Sequence, residues 1–381
     1  MPGSFLHSYP LPARLASFYF AFFALSAAYV AYFPLWLAWR GLGVGEIAFV
    51  LALPQLARVF APAAWGWLAD RSGAQRAIVV FSCAVMAACY AAMPYADGTR
   101  QIALLITVLS VLSAGALPLV EAMTLGSAGG LLRYGPIRLW GSVSFVAVVL
   151  AGGIWLDFRS AESLPQVLAL LSLATFAVSI SLPRGAIHPP PPAPQAFIPR
   201  GVAAVLGAGF CMAAAHGALY AFFTLHLQRE GYSGIVIGVL WALGVIAEIV
   251  VFAFLPALFR RYALSAVLVA SLFCAALRFL AIGWGASQLW ILVIAQLLHA
   301  ATFGAFHAAS VAAVHRIFPA HAQGRGQTLL SSISYGAGGA AGALVAGWGW
   351  QAAGPGLAFS LAAAAALAGA CFAHGLRRTG L

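Results

Sequence analysis

The chain contains no lysine, and its 381 residues include only eight acids, so that charged residues make up 7% of the total. An ordinary soluble domain carries about a quarter of its residues charged, and a solvated disordered chain carries more. Both classes are excluded. Cysteine is scarce too: Cys83, Cys89, Cys211, Cys274 and Cys371 all fall in apolar stretches without metal-ligand spacing. They read as small packing residues, and no disulfide, metal site or cofactor is expected. No serine–histidine arrangement or ligand cluster stands out either, so the chain does not read as an enzyme.

What is present is apolar. Hydrophobic residues make up 63% of the sequence, more than one soluble core can bury, and they recur in uninterrupted runs of about 20, the length that crosses a bilayer as a helix. A barrel would show short alternating segments instead. The fold class is an all-α membrane protein with twelve transmembrane helices, at about 14–39, 44–69, 76–96, 101–126, 136–156, 164–182, 200–226, 233–257, 263–284, 288–314, 326–349 and 354–374. Met1 to Pro12 shows no basic region leading to a cleavage site, so the first run is expected to stay as a helix. Its aromatics, Phe18 to Phe23 with Tyr29 and Tyr32, are expected to face mostly lipid.

Between the sixth and seventh runs lies 183–199, which contains Pro189-Pro190-Pro191-Pro192. Four prolines favour an extended conformation, which predicts a linker between an N-terminal bundle, 1–182, and a C-terminal bundle, 200–381. All 19 basic residues counted with the acids are arginines, giving a formal charge of +11. They fall mainly in short interhelical loops, a topology signal rather than a nucleic-acid surface, and no nucleic-acid partner is expected. Thirteen arginines fall on one side of the alternating spans and four on the other. Both termini and the linker are therefore expected on the cytoplasmic face of an inner membrane.

The charges left inside the spans form a short list. Arg58 and Arg278 lie in spans two and nine, Glu121 and Glu248 in spans four and eight, and Arg138 opens span five. A charge at the centre of a membrane helix costs about 2.5–3.5 kcal/mol on insertion scales and usually faces a partner or a water-filled cavity. The two halves also repeat: Glu46–Arg71 aligns with Val236–Arg261 at an offset of 190, which sets Arg58 opposite Glu248. A site between duplicated bundles can use such a pair. Glu121 and Glu248 are the candidates to carry a proton, unless an arginine holds them ionised. Arg138 and Arg278 offer planar forks suited to a carboxylate. His299 and His307, eight apart, share a face of span ten. Readings as structural partners stay open for the two glutamates, for His299 and His307, and for Arg58 as a tether.

Gly66-Trp67-Leu68-Ala69-Asp70-Arg71-Ser72-Gly73 resembles the cytoplasmic loop signature of the major facilitator superfamily, in which Asp70 and Arg71 would stabilise one gate conformation. Within that superfamily, Pro118-Leu119-Val120-Glu121-Ala122 and Arg138 resemble the lactose permease and phenylpropionate permease branch. The resemblance implies substrate contacts for Glu121, Arg138, Phe145, Arg278 and His299, and proton coupling through Glu248, Glu121 and His299, with Arg58 and His307 as further candidates. Two positions depart from lactose permease. Thr302 stands where that carrier has a proton-carrying glutamate, and Phe145 replaces a tryptophan that stacks on sugar. The implied function is proton-coupled import of a small organic solute, an aromatic carboxylate such as a phenylpropionate, by alternating access, with one chain sufficient. The alternatives are a sugar or nucleoside symporter, a drug exporter, and a solute sensor that does not transport.

Overall fold

The computed structural model describes residues 10–127, 130–183, 199–319 and 322–379. Among the described residues every regular element is a helix. Helices satisfy their own backbone hydrogen bonds, which lipid cannot do for them. The helices, in chain order, are α1 (Leu11–Trp39), α2 (Val44–Ser72), α3 (Gln75–Ala92), α4 (Gly98–Leu125), α5 (Gly130–Phe158), α6 (Leu164–Ser179), α7 (Val202–Arg229), α8 (Gly234–Arg261), α9 (Leu264–Gly285) and α10 (Leu289–Ile317). A run from Gln323 to Gly375 follows, bent back on itself at Ala353 and Gly354. Gly354 has φ +79°, a left-handed backbone that a side chain resists, so the run divides into α11 (323–352) and α12 (355–375). Eleven long apolar runs thus make twelve traverses. The expected spans fall on them to within a few residues.

The internal repeat is visible in the helix starts. Val44 and Gly234, which open α2 and α8, are 190 residues apart, and the preceding residues Gly43 and Ser233 take the same extended conformation. The proline-rich stretch expected to link the halves lies outside the described residues, apart from its ends Pro183 and Pro199.

The aromatics of α1 correct one expectation. Phe18, Tyr19, Tyr32 and Phe33 are fully or almost fully buried, and of the aromatics from Phe18 to Tyr32 only Phe20 is clearly exposed, because α1 packs on α5, α6 and α7. In α11, glycines allow backbones to touch: a methyl group on Gly342 would run into the Ala214 backbone of α7.

Among the described residues the main contacts between the halves are those of α5 with α8, α2 with α11 and α1 with α7, and α2 also touches α7. The closest approaches lie at the helix ends remote from the Asp70–Arg71 loop. There Gly153 meets Gly234, and Gly347 meets Ala48. The Asp157 carboxylate at the end of α5 accepts hydrogen bonds from the first backbone N–H groups of α8, Gly234 at 2.5 Å and Ile235 at 3.0 Å. A carboxylate on a helix N-terminus meets both its unpaired N–H groups and its dipole. Asp157 therefore clasps the two halves together at this end. At the other end Asp70 and Arg71 are exposed, neither makes an ion pair among the described residues, and the Arg71 guanidinium lies over the Trp67 ring of its own helix at 5.4 Å.

Candidate functional site in the centre of the bundle

Helix α4 is interrupted before Glu121. Pro118 has no N–H to offer the Ala114 carbonyl, and α4 breaks between Ser113 and Ala116. The short segment that follows, Ala116–Leu125, carries Glu121 towards α5. Arg138 sits there two residues after Pro136, and its guanidinium stacks on the Phe23 ring of α1, 3.8 Å from the centroid, with the Tyr19 ring at 5.6 Å. The Tyr134 hydroxyl, one turn earlier, interacts with both Glu121 and Arg138. Glu121 and Arg138 feel each other's charge but make no ion-pair contact within 4.0 Å. Arg138 is thus held by aromatic faces rather than clamped to one carboxylate. Phe145 lies seven residues further along α5, half-buried and on the same face.

The opposing half brings the other groups to the same level. Glu248 of α8 lies 3.8 Å from the His299 Nε2 of α10. The charge of Arg138 reaches Glu248 and His307 across the interface between the halves. His299 stacks on Phe303 with centroids 5.2 Å apart, and Phe303 stacks on His307 at 6.2 Å, so three rings form a ladder along α10. The ladder runs through a π-helical stretch, Ala300–Ala305, a distortion frequent at functional sites. Gly304 within it leaves room for the Glu248 side chain. His307 Nδ1 is 2.6 Å from the Tyr335 hydroxyl, which is carried by a second π-helical stretch, Leu330–Gly338 of α11. The Leu330–Gly338 stretch packs against α2 of the other half, and the Ala300–Ala305 stretch packs against α8 and α9 of its own.

Arg278 lies behind this group, with its partner His216 6.0 Å from the His299 ring. It is fully buried, and its guanidinium donates to four neutral acceptors: the Ala295 carbonyl (2.8 Å), Gln296 Oε1 (3.0 Å), Thr302 Oγ1 (3.2 Å) and His216 Nε2 (3.3 Å). Because His216 Nε2 accepts from Arg278, its Nδ1 carries the proton donated to the Met212 carbonyl, 2.9 Å away. That pair of bonds settles the tautomer. Thr302, where the lactose carrier has glutamate, here serves as one of the arginine's acceptors.

Arg58 occupies a different setting. Its side chain is exposed at the middle of α2, one residue from Val59, which packs against Gly336 of α11. Its charge lies within electrostatic range of Tyr220 (α7) and Tyr335 (α11), both from the opposite half. Tyr220 also faces Glu248. The pseudo-equivalent residues Arg58 and Glu248, and Arg278 with them, therefore all act electrostatically on one phenol.

The structure sets Glu248 beside His299, with His307 on the same ring ladder, and puts Arg138 within electrostatic range of Glu121, Glu248 and His307; it puts Arg58 near Tyr220 and Tyr335, seats Arg278 in the interior of the C-terminal half and leaves Asp70 and Arg71 at one end. Sequence reasoning missed Tyr134, Tyr220, Phe303 and Tyr335. A signal existed for two of them: Tyr134 is four residues before Arg138, and Phe303 is midway between His299 and His307.

A family model for the MFS_1-like family matches residues 13–361. The chain belongs to the MFS_1-like family. This major facilitator chain is 33% identical over 193 residues to the probable 3-phenylpropionic acid transporter of Escherichia coli (strain K12), covering 47% of this chain and 49% of that protein. It is 29% identical over 180 residues to the maltose permease of Geobacillus stearothermophilus, covering 45% of each. The chain spans about half the length of the curated relatives it matches. The fold extends much further: a point mutant of the nucleoside transporter NupG superposes with a TM-score of 0.85 at 17% identity, over 97% of this chain and 99% of that one.

Proposed function

We propose that the chain is a proton-coupled symporter that imports an aromatic carboxylate of the phenylpropionate class by alternating access. The observation that carries the reading is the position of Arg138: its charge acts on Glu121 in its own half and on Glu248 in the other. A mobile cation between two carboxylates lets one glutamate be neutralised by arginine while the other takes a proton, and relative movement of the halves exchanges the two arrangements. Glu248 carries the transported proton, with His299 beside it to orient the carboxyl. Glu121 is the second carboxylate, and Phe145 packs against the substrate ring.

The energetics favour coupling to a proton. An anion entering a cell against a potential negative inside pays about 2.3 kcal/mol per 100 mV, and one accompanying proton cancels that cost. The two bundles, 1–182 and 200–381, rock about the midplane, linked by 183–199. With both termini at the cytoplasmic face, the end clasped by Asp157 faces outward and the Asp70–Arg71 end inward. Asp70 and Arg71 then engage when the inner end closes. The 33% identity to a probable 3-phenylpropionic acid transporter supports the substrate class.

The test is proton movement into proteoliposomes on adding aromatic carboxylates, neutral sugars or nucleosides. The expected outcome is a carboxylate-dependent proton influx, lost in Glu248→Gln, with substrate counterflow retained in that variant. Uphill uptake at the wild-type rate in Glu248→Gln would refute the proton assignment, and proton influx driven by sugars alone would refute the substrate class.

A further inference from the structure

The charges inside the spans do not balance. Three arginines, Arg58, Arg138 and Arg278, face two glutamates, Glu121 and Glu248. Unbalanced charge at membrane depth is costly, so each arginine must be compensated somehow. Arg278 is compensated by four hydrogen-bond acceptors. Arg138 lies between the two glutamates and over an aromatic face. Arg58 has neither arrangement: it makes no hydrogen bond and no ion pair with any described residue. It also cannot escape to the membrane surface. Arg58 is fourteen residues from Val44 and fourteen from Ser72, the two ends of α2. At 1.5 Å per residue each end is about 21 Å away, well beyond the reach of a snorkelling arginine.

The surroundings of Arg58 are those of an anion site. The Tyr220 hydroxyl makes no hydrogen bond to a described residue and is free to donate. The Tyr335 oxygen is bonded to His307 Nδ1 at 2.6 Å. When that nitrogen carries the proton and donates to Tyr335, the phenolic proton of Tyr335 is left to donate elsewhere. Pro62 removes the helical partner of the Arg58 carbonyl, so α2 is loosened at the level of the cation. Val59 and Gln55 of α2 pack on Gly336, the neighbour of Tyr335, and α2 also touches α7, which carries Tyr220, so one charged fork and two neutral donors from both halves lie near one another.

We propose that Arg58 is the anchor for the substrate's carboxylate, which it holds with the hydroxyls of Tyr220 and Tyr335 in the gap between α2, α7 and α11. The inference rests on the carboxylate reading above and names the residue that performs it. A carboxylate there supplies the missing negative charge and can accept from the arginine in a bidentate pair. It also ties the halves together through substrate, because Arg58 belongs to one half and both tyrosines to the other. Tyr220 faces Glu248 as well, so substrate charge and transported proton arrive at the same place. An amide or alcohol of the same shape fills the gap without balancing the charge, and the site discriminates against it.

The experiment is binding of 3-phenylpropionate and of its neutral amide to the purified full-length chain in detergent, for wild type, Arg58→Gln, Arg58→Lys, Tyr220→Phe and Tyr335→Phe. Size-exclusion chromatography and the thermal midpoint report folding. The expected result is a loss of phenylpropionate affinity of at least about a hundredfold in Arg58→Gln, a smaller loss in Arg58→Lys, and a loss of about tenfold in each tyrosine variant. Selectivity for acid over amide should vanish in Arg58→Gln. If Arg58→Gln fails to fold, the Lys and Phe variants carry the comparison, and wild-type affinity in all three overturns the proposal. Wild-type affinity and selectivity in a folded Arg58→Gln overturns the anchor while the carboxylate reading stands. A wild-type chain that binds neutral solutes but no aromatic carboxylate overturns both.

Discussion

Replacing Asp157 by alanine should unseal one end of the interface between the halves. The carboxylate accepts from Gly234 N–H at 2.5 Å and from Ile235 N–H at 3.0 Å, so it caps a helix that belongs to the opposite half. Loss of an acidic cap costs about 0.5–2 kcal/mol. Asp157 is exposed to solvent, which screens its interaction with the helix dipole, so a value of about 1 kcal/mol applies. Because the contact exists only while these two helix ends touch, the whole loss appears in the equilibrium between sealed and parted conformations. One kcal/mol shifts that ratio about fivefold. The shift is measurable at Leu156, whose side chain packs beside Gly234. In a chain whose native cysteines are replaced by serine, Leu156→Cys should react with a membrane-impermeant maleimide about fivefold faster when Asp157→Ala is added. Asp157→Asn keeps one acceptor oxygen and should fall between the two. An unchanged rate in Asp157→Ala would show that the clasp contributes nothing to the seal and that the glycine contacts at Gly153 and Gly234 suffice alone.

Two further outcomes bear on how the chain is held together and on the division of labour among its arginines. Arg278→Lys cannot serve four acceptors with a compact ammonium, leaving buried groups unpaired at about 1–3 kcal/mol each. The thermal midpoint should drop sharply while the selectivity of any residual binding for acid over amide stays as in wild type; altered selectivity would return Arg278 to the list of substrate contacts. Gly354→Val forces a branched side chain into the left-handed region at the turn between α11 and α12, at a cost of roughly 1–2 kcal/mol. Its thermal midpoint should fall, with transport affinity preserved in the folded fraction, and an unchanged midpoint would mean that the turn adopts another path.

Much of the site was legible because membrane depth makes charge conspicuous. Glu121, Arg138, Glu248 and Arg58 stand out as ionisable residues in runs that lipid would otherwise fill, and His299 and His307 share a face by spacing alone. Residues whose polarity is small relative to their apolar body did not stand out. Tyr220 and Tyr335 look like any membrane aromatics until packing brings them within electrostatic range of Arg58, whereas Phe303, four residues from each histidine, was signalled by spacing and its ring contacts bear this out.

The contrast between α1 and the charged positions gives the physical reason. Hydropathy measures transfer from water, and both lipid and a protein interior are apolar destinations. The chain alone therefore determined that about 14–39 spans the membrane, but not that Phe18, Tyr19 and Tyr32 face other helices rather than acyl chains. The same limit separates Arg278 from Arg58. Each is a lone arginine inside an apolar span, and nothing local distinguishes them. Long-range packing surrounds one with the Ala295 carbonyl, Gln296, Thr302 and His216, and leaves the other facing a gap between the halves with its charge unmet. Composition and spacing determined the class of molecule, the number of traverses and the charges that matter. Tertiary structure decided which charges are already satisfied, because satisfaction depends on partners tens of residues away in sequence.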